Sequence, residues 1–206
     1  MEQHDPLVNR SFAIVPAAGR SRRMRQDKLL LPWRNTTVIG SLLAAWRTSD
    51  VDEVIVVMRQ DQSELLTLCG NATVVIPPIA PPEMKDSVLA ALRHIRKAFS
   101  PAETDVWLLA PADMPQLDPS VANQVLAAHD PDSPAIIVPT TSGKRGHPVL
   151  FPWSFASLVE TLSDTEGVNA LLERCPVREL ECRSRSIHGD LDTPDDYERL
   201  RDETGR

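Results

Sequence analysis

Five basic residues, Arg20, Arg22, Arg23, Arg25 and Lys28, fall within nine positions and are opposed there only by Asp27. They follow Phe12-Ala13-Ile14-Val15-Pro16-Ala17-Ala18-Gly19, which starts as a strand-type apolar run and breaks at small residues. The whole chain carries a formal net charge of −7, so a cationic loop directly after its first strand suggests a phosphate site. Gly19 would let the backbone approach an anion with no Cβ in the way. Successive N–H groups could then face phosphate oxygens, with the basic side chains neutralising the remaining charge. The spacing is neither G-x-x-x-x-G-K-[ST] nor G-x-G-x-x-G, which argues against a P-loop NTPase and an ordinary dinucleotide-binding domain. A solvated basic loop accounts for the same residues. As a long basic side chain in a polar loop, Lys28 is expected to matter far more to a ligand than to folding.

Asp113 is the next candidate. It follows the apolar run Val106-Trp107-Leu108-Leu109 and sits between Ala112 and Met114-Pro115. Ligands of open parallel sheets bind beyond the carboxyl ends of the strands, which puts Asp113 on the same rim as the basic loop. A carboxylate there suits Mg²⁺, which takes oxygen ligands and keeps waters and substrate phosphates as the rest. From position alone a turn or capping aspartate explains it equally well. Asp190 and Asp192 form a second acidic pair, ahead of Thr193-Pro194-Asp195-Asp196. That tetrapeptide is a good helix start by itself and needs neither Asp190 nor Asp192. Two aspartates alone would worsen the repulsion of a phosphorylated ligand, so they make sense only with a divalent ion between them and the phosphates. His147, in Gly146-His147-Pro148, has no nucleophile nearby in sequence; a structural or ligand-contacting histidine fits it better than a general base. The other histidines form no metal spacing, and no G-x-S-x-G elbow supports a serine hydrolase.

These residues must be held by an α/β frame. At 206 residues, 42% apolar and 25% charged, the chain is long enough for one sizeable domain spanning 1–206 and short for two. The acidic balance argues against a general nucleic-acid binder. No apolar run nears the roughly 20 residues that span a bilayer, and the polar N-terminus has no signal-peptide core. Three cysteines without a C-x-x-C pair fit a reducing cytoplasm. Strands are expected at 12–15, 53–58, 72–76, 105–109, 135–139 and 177–180, with 147–151 following a loop over 140–146. Helices are expected from Thr36 or Thr37 to about Ser49, then at 61–68, 83–99, from Asp118, at 153–162, at 167–174 and after Thr193. Pro77 to Pro82 can be neither helix nor central strand and reads as an ordered loop. Strands alternating with helices predict a mostly parallel central sheet flanked by helices on both faces.

Together these motifs resemble a known family. Ala17-Ala18-Gly19-Arg20-Ser21-x-Arg23-Met24, then Lys28-Leu29-Leu30, is similar to the signature loop of MobA-like NTP transferases, closest to the molybdenum cofactor cytidylyltransferases. The likeness continues in order through Asp113-Met114-Pro115, Gly146-His147-Pro148-Val149-Leu150-Phe151, Asn169-Ala170-Leu171-Leu172 and Asp190 to Asp196. It implies a Rossmann-like α/β domain of the nucleotide-diphospho-sugar transferase type. It also implies transfer of a nucleoside monophosphate from an NTP, first CTP and otherwise GTP, to a phosphorylated acceptor, first molybdopterin, releasing pyrophosphate. Carried over residue by residue, Ala17, Ala18, Gly19, Arg20, Ser21, Arg23 and Lys28 hold the triphosphate, with Arg23 and Lys28 as its main charges. Asp113 and Asp192 bind Mg²⁺, Ser87 belongs to the nucleotide side and His147 to the acceptor side. The chain departs from the family at Arg25, where glycine is usual. It departs again at Glu83-Met84-Lys85-Asp86, where a glycine- and serine-containing segment that helps select base and acceptor is usual; only Ser87 matches well there. A sugar- or polyol-phosphate nucleotidyltransferase, or a non-catalytic nucleotide-binding accessory protein, remains compatible with the same residues.

Overall fold

The computed structural model describes residues 9–20 and 27–204; Ser21, Arg22, Arg23 and Arg25 lie outside them. Its centre is β1 (Ser11–Pro16), with β4 (Glu53–Val57) on one side and β6 (Val106–Leu109) on the other, both parallel to it. β1 is apolar at every position from Phe12 to Val15 because both of its faces are covered. Phe12 and Ile14 pack with Val88, Ala91, Leu92 and Ile95 of α3 (Met84–Phe99). Ala13 and Val15 pack with Val38, Ile39, Leu42, Leu43 and Trp46 of α1 (Val38–Arg47). Parallel β5 (Thr73–Val75) extends the sheet beyond β4, and α2 (Ser63–Leu68) lies between them in sequence.

Beyond β6 the sheet is mixed. β9 (Val149–Pro152) runs antiparallel between β6 and β7 (Ile136–Thr141), and β10 (Val177–Glu181) closes that side parallel to β7. The orientation of β9 was not legible in the sequence. It is fixed by cross-strand packing: Trp107 and Phe151 are register partners whose rings stack with centroids 4.1 Å apart. A short hairpin links β7 to β8 (Lys144–Arg145) through Ser142 and Gly143, both at positive φ, as a tight two-residue turn requires. The expected loop over 140–146 is therefore largely a hairpin. A second small hairpin pairs β2 (Pro32–Trp33) with β3 (Thr36–Thr37).

The helices largely follow the sequence signals. Thr37 caps α1 by accepting from Gly40 N, and Asp118 caps α4 (Pro119–Ala127), with Pro119 in the first turn. α6 (Pro194–Thr204) starts with Thr193 and Asp196 bonded reciprocally. Two expectations change form. Trp153–Thr161 is a 3₁₀ helix, and the stretch expected over 167–174 is a 3₁₀ turn, Val168–Ala170, followed by the short α5 (Leu171–Arg174). The buried residues of the first, Trp153, Ala156 and Val159, recur every three positions. That matches the three residues per turn of a 3₁₀ helix, so the signal was present in the apolar spacing. No helix among the described residues is long and apolar enough to cross a membrane.

Candidate active site

β1 and β6 are neighbours running in the same direction, so the loops leaving their carboxyl ends emerge side by side. Ala17 N donates to Val57 O at 2.7 Å, carrying the first loop just past the strand end. Ala17 and Ala18 are buried, Gly19 and Arg20 exposed. Two residues that sequence reasoning missed set the loop's direction. Gln62 Nε2 donates to Ala17 O at 3.0 Å, and Arg59 Nη1 donates to Ala18 O and Gly19 O at 2.6 and 2.8 Å. Arg59 is itself held by Asp61 and by the Gln62 side chain, which accepts from Arg59 N. In a trans peptide the N–H points opposite to the C=O. Holding three successive carbonyls toward Arg59 and Gln62 therefore turns the N–H groups of Ala18, Gly19 and Arg20 the other way. Gly19 has open space where a Cβ would stand and no positive φ, so the fold itself makes no demand for glycine there. Only an i, i+3 pairing of polar residues, Arg59 and Gln62, stood in the sequence as a sign, and nothing local linked it to the loop.

Lys28 opens a 3₁₀ turn, Lys28–Leu30, capped by Asp27. Its ammonium is the meeting point of the site. Nζ pairs with Asp113 Oδ2, donates to Leu191 O at 2.8 Å and lies 3.5 Å from Asp192 Oδ1. Leu191 N donates to Asp113 O at 3.1 Å, which ties the segment before α6 to the loop after β6. Two carboxylates from loops 79 residues apart thus converge on the Lys28 ammonium, at the place where a divalent ion was expected. Lys28 therefore has a structural partner in Asp113 beside the ligand role expected of it. Asp113 is 7% exposed, and burial, opposed by the Lys28 charge and hydrogen bond and aided by Asp190, holds its carboxyl above the usual range. Among the described residues no group of three or more His, Cys, Asp or Glu side chains gathers. The chemistry of the donor set still fits a hard divalent ion, because two carboxylate ligands leave the other positions for water and phosphate oxygens.

Beside this cluster lies a cavity of about 530 Å³, walled by the first turn of α3 (Glu83, Met84, Lys85), by Leu109 and Pro111 after β6, by His147, and by residues 164–169. His147 Nδ1 lies 3.2 Å from Leu109 O. The carbonyl can only accept, so Nδ1 carries the proton and Nε2 is left as an acceptor. Burial pushes the imidazole below its ordinary range, partly offset by the Leu109 carbonyl and by Asp190 and Asp113. Backbone packing fixes this histidine: His147 N donates to Ile187 O at 3.0 Å, and a Cβ on Gly146 would collide with that same carbonyl. Ser87 is buried within α3 and is not on the cavity wall; Lys85, two positions earlier, is. Asp190 is exposed near Asp113 and His147. Arg23 and Ser21 lie outside the described residues.

The family model for the MobA-like NTP transferase domain matches residues 13–180. The purine catabolism protein PucB of Bacillus subtilis is 30% identical, over 92% of this chain and 95% of its own. The molybdenum cofactor cytidylyltransferase of Escherichia coli is 25% identical, over 89% of this chain and 92% of its own. Among solved structures, Rv0371c of Mycobacterium tuberculosis in complex with manganese is similar, with a TM-score of 0.77 at 28% identity over 94% of this chain and 99% of that one.

Proposed function

The chain belongs to the MobA-like NTP transferase family, and from that premise we propose that it is a Mg²⁺-dependent nucleotidyltransferase moving CMP from CTP to the phosphate of molybdopterin. The observation that carries this reading is the convergence of Asp113 and Asp192 on the Lys28 ammonium at the carboxyl-end rim, where the loop after β1 has its N–H groups turned away from Arg59 and Gln62. An oxygen of the acceptor phosphate attacks the α-phosphorus, the bond to the β-phosphate oxygen breaks, and the electron pair leaves with pyrophosphate. No protein nucleophile is needed, so catalysis is positioning and charge stabilisation. The N–H groups of Ala18, Gly19 and Arg20 cradle the triphosphate, and the absence of a Cβ at Gly19 leaves room for it. Arg23 adds charge to the same phosphates. Asp113 and Asp192 would hold Mg²⁺, whose charge offsets that of the phosphates when it is bound. Lys28, at the centre of the cluster, would neutralise charge on the β- and γ-phosphates and on the departing pyrophosphate. His147, neutral and with Nε2 as an acceptor, orients the acceptor beside the cluster. The manganese held by Rv0371c supports a divalent ion on this fold, and the likeness to the E. coli cytidylyltransferase supports CTP over GTP.

The test is pyrophosphate release by the purified protein with each of the four NTPs, Mg²⁺ and molybdopterin, repeated with Asp113→Asn and Asp192→Asn. CTP is expected to be used best. Asp113→Asn should lower turnover by roughly 10²–10³-fold, the scale of losing one preorganised electrostatic contact. Asp192→Asn should lose less, because an amide oxygen still ligates a cation. Wild-type turnover in Asp113→Asn would refute the role of this carboxylate, and absence of pyrophosphate release from an NTP that binds would refute the transferase reading.

A further inference from the structure

Three charged side chains are buried among the described residues: Asp105, Asp113 and Lys85. Asp105 is paired with Arg10 and accepts from two backbone N–H groups. Asp113 is paired with Lys28. Lys85 is 7% exposed and has no carboxylate partner among the described residues; its ammonium donates to one neutral acceptor there, Ser163 O. An ammonium has three donors, and a buried charge without a counter-ion or a full set of hydrogen bonds is costly. Lys85 reaches across from the first turn of α3 to the loop that forms the facing wall of the 530 Å³ cavity. That loop is anchored separately: Glu166 accepts from Ser163 N and Oγ at 2.9 and 2.8 Å and pairs with Arg174. Glu166 is therefore engaged, and the remaining carboxylates on the wall, Glu83 and Asp164, are exposed to screening water. Lys85 also stands at the amino end of a 16-residue helix, where the backbone adds positive partial charge to that of the ammonium.

The cavity has the size of a small-molecule subsite. It contains neither Lys28 nor Asp113, but two of its wall residues connect it to them: Pro111, two positions before Asp113, and His147, whose imidazole senses the Asp113 charge. A substrate whose reacting phosphate meets the Lys28–Asp113 cluster would therefore extend into the cavity with its other end. The geometry points to Lys85 as the anion-binding residue of the acceptor subsite, holding a carboxylate or a second phosphate that the acceptor carries besides the phosphate that reacts. The assignment to the acceptor rests on the transferase reading above; the anion site itself does not. A charge-assisted hydrogen bond from an ammonium already desolvated by the fold is the strong kind, so this side chain selects acceptors by charge.

The experiment uses the full chain with ¹⁵N-labelled lysine. The chain has four lysines, Lys28, Lys85, Lys97 and Lys144, so each Nζ signal can be followed. Inorganic phosphate, and separately acetate, is titrated at constant ionic strength. The Lys85 signal should shift saturably, while that of Lys97, on the outer face of α3, stays still. The tighter of the two anions names the group. In Lys85→Met the phosphate-dependent rise in melting temperature should need at least tenfold more phosphate, and Lys85→Arg should restore it. The wild-type titration stands even if Lys85→Met fails to fold. A Lys85 signal unmoved by both anions, while other lysines respond, overturns the proposal. A second titration is run with a saturating non-hydrolysable CTP analogue and Mg²⁺. Phosphate should still reach Lys85, and displacement by the analogue would assign the residue to the nucleotide and overturn the acceptor assignment. If no nucleotide binds at all, the transferase reading fails and the acceptor assignment with it, while the first titration still decides whether Lys85 binds anions.

Discussion

Lys28→Met, in the absence of any divalent ion, should destabilise the protein in a pH-dependent way. The side chains of Lys28 and Asp113 are 20% and 10% exposed, so the substitution leaves a buried carboxylate without its counter-charge. If Asp113 stays ionised, breaking such a pair costs about 3–5 kcal/mol. The alternative is to take up a proton, at about 1.4 kcal/mol for each pH unit above the ordinary carboxyl pKa of about 3.9, or about 4 kcal/mol at neutral pH. The smaller cost sets the loss, and residual solvent access lowers it, so about 2–4 kcal/mol is expected near pH 7. That is a large share of the roughly 5–15 kcal/mol that holds a domain folded. The sign follows from the raised folded-state pKa of Asp113, which the substitution raises further. Between the unfolded and folded pKa values the folded protein holds a proton that the unfolded chain has lost. Stability from this group is full below the unfolded value and falls as pH rises through the folded one. Urea denaturation of wild type and variant from about pH 4 to about pH 8 reads the effect, with the gap widening by up to about 1.4 kcal/mol per pH unit. The double variant Lys28→Met/Asp113→Asn should recover most of the loss, because no buried charge remains. A gap independent of pH, or none near pH 8, would refute the reasoning.

Arg59→Met should loosen the carbonyls of Ala18 and Gly19 and weaken binding of Mg²⁺ and CTP by tenfold or more, since hydrogen bonds from a charged donor are worth about 1.5–3 kcal/mol each; calorimetric titration giving an unchanged Kd would remove Arg59 from the site. Gly146→Ala forces a Cβ into the carbonyl of Ile187 and should cost about 1–3 kcal/mol, read as a lowered melting temperature, with a wild-type melt as the contrary outcome. For His147, burial lowers the folded pKa, so its stability contribution is present above the unfolded value of about 6.5 and is lost as pH falls toward the folded one. His147→Gln should flatten that acid-side slope in a pH series of denaturation curves, and an identical slope would mean that another group titrates.

The sequence alone determined much of the frame. Continuous apolar runs at 12–15, 54–58 and 106–109 required strands covered on both faces, and their alternation with capped helices required a mostly parallel sheet. The capping residues Thr37, Asp118 and Thr193, and the rim positions of Gly19 and Asp113, followed from local chemistry, because caps and strand ends are read within a few residues. Tertiary structure decided what depends on distant partners. The orientation of β9 came from Trp107 stacking on Phe151, 44 positions away. The direction of the loop's N–H groups came from Arg59 and Gln62 on another strand's exit. The joining of Asp113 to Asp192 came from Lys28, which the sequence had placed with the phosphates alone. The single acceptor found for the Lys85 ammonium came from a carbonyl 78 positions on. A charge in a sequence declares its sign but not its burial or its partner, and those two quantities decide whether it stabilises the fold, binds a ligand, or exchanges one role for the other.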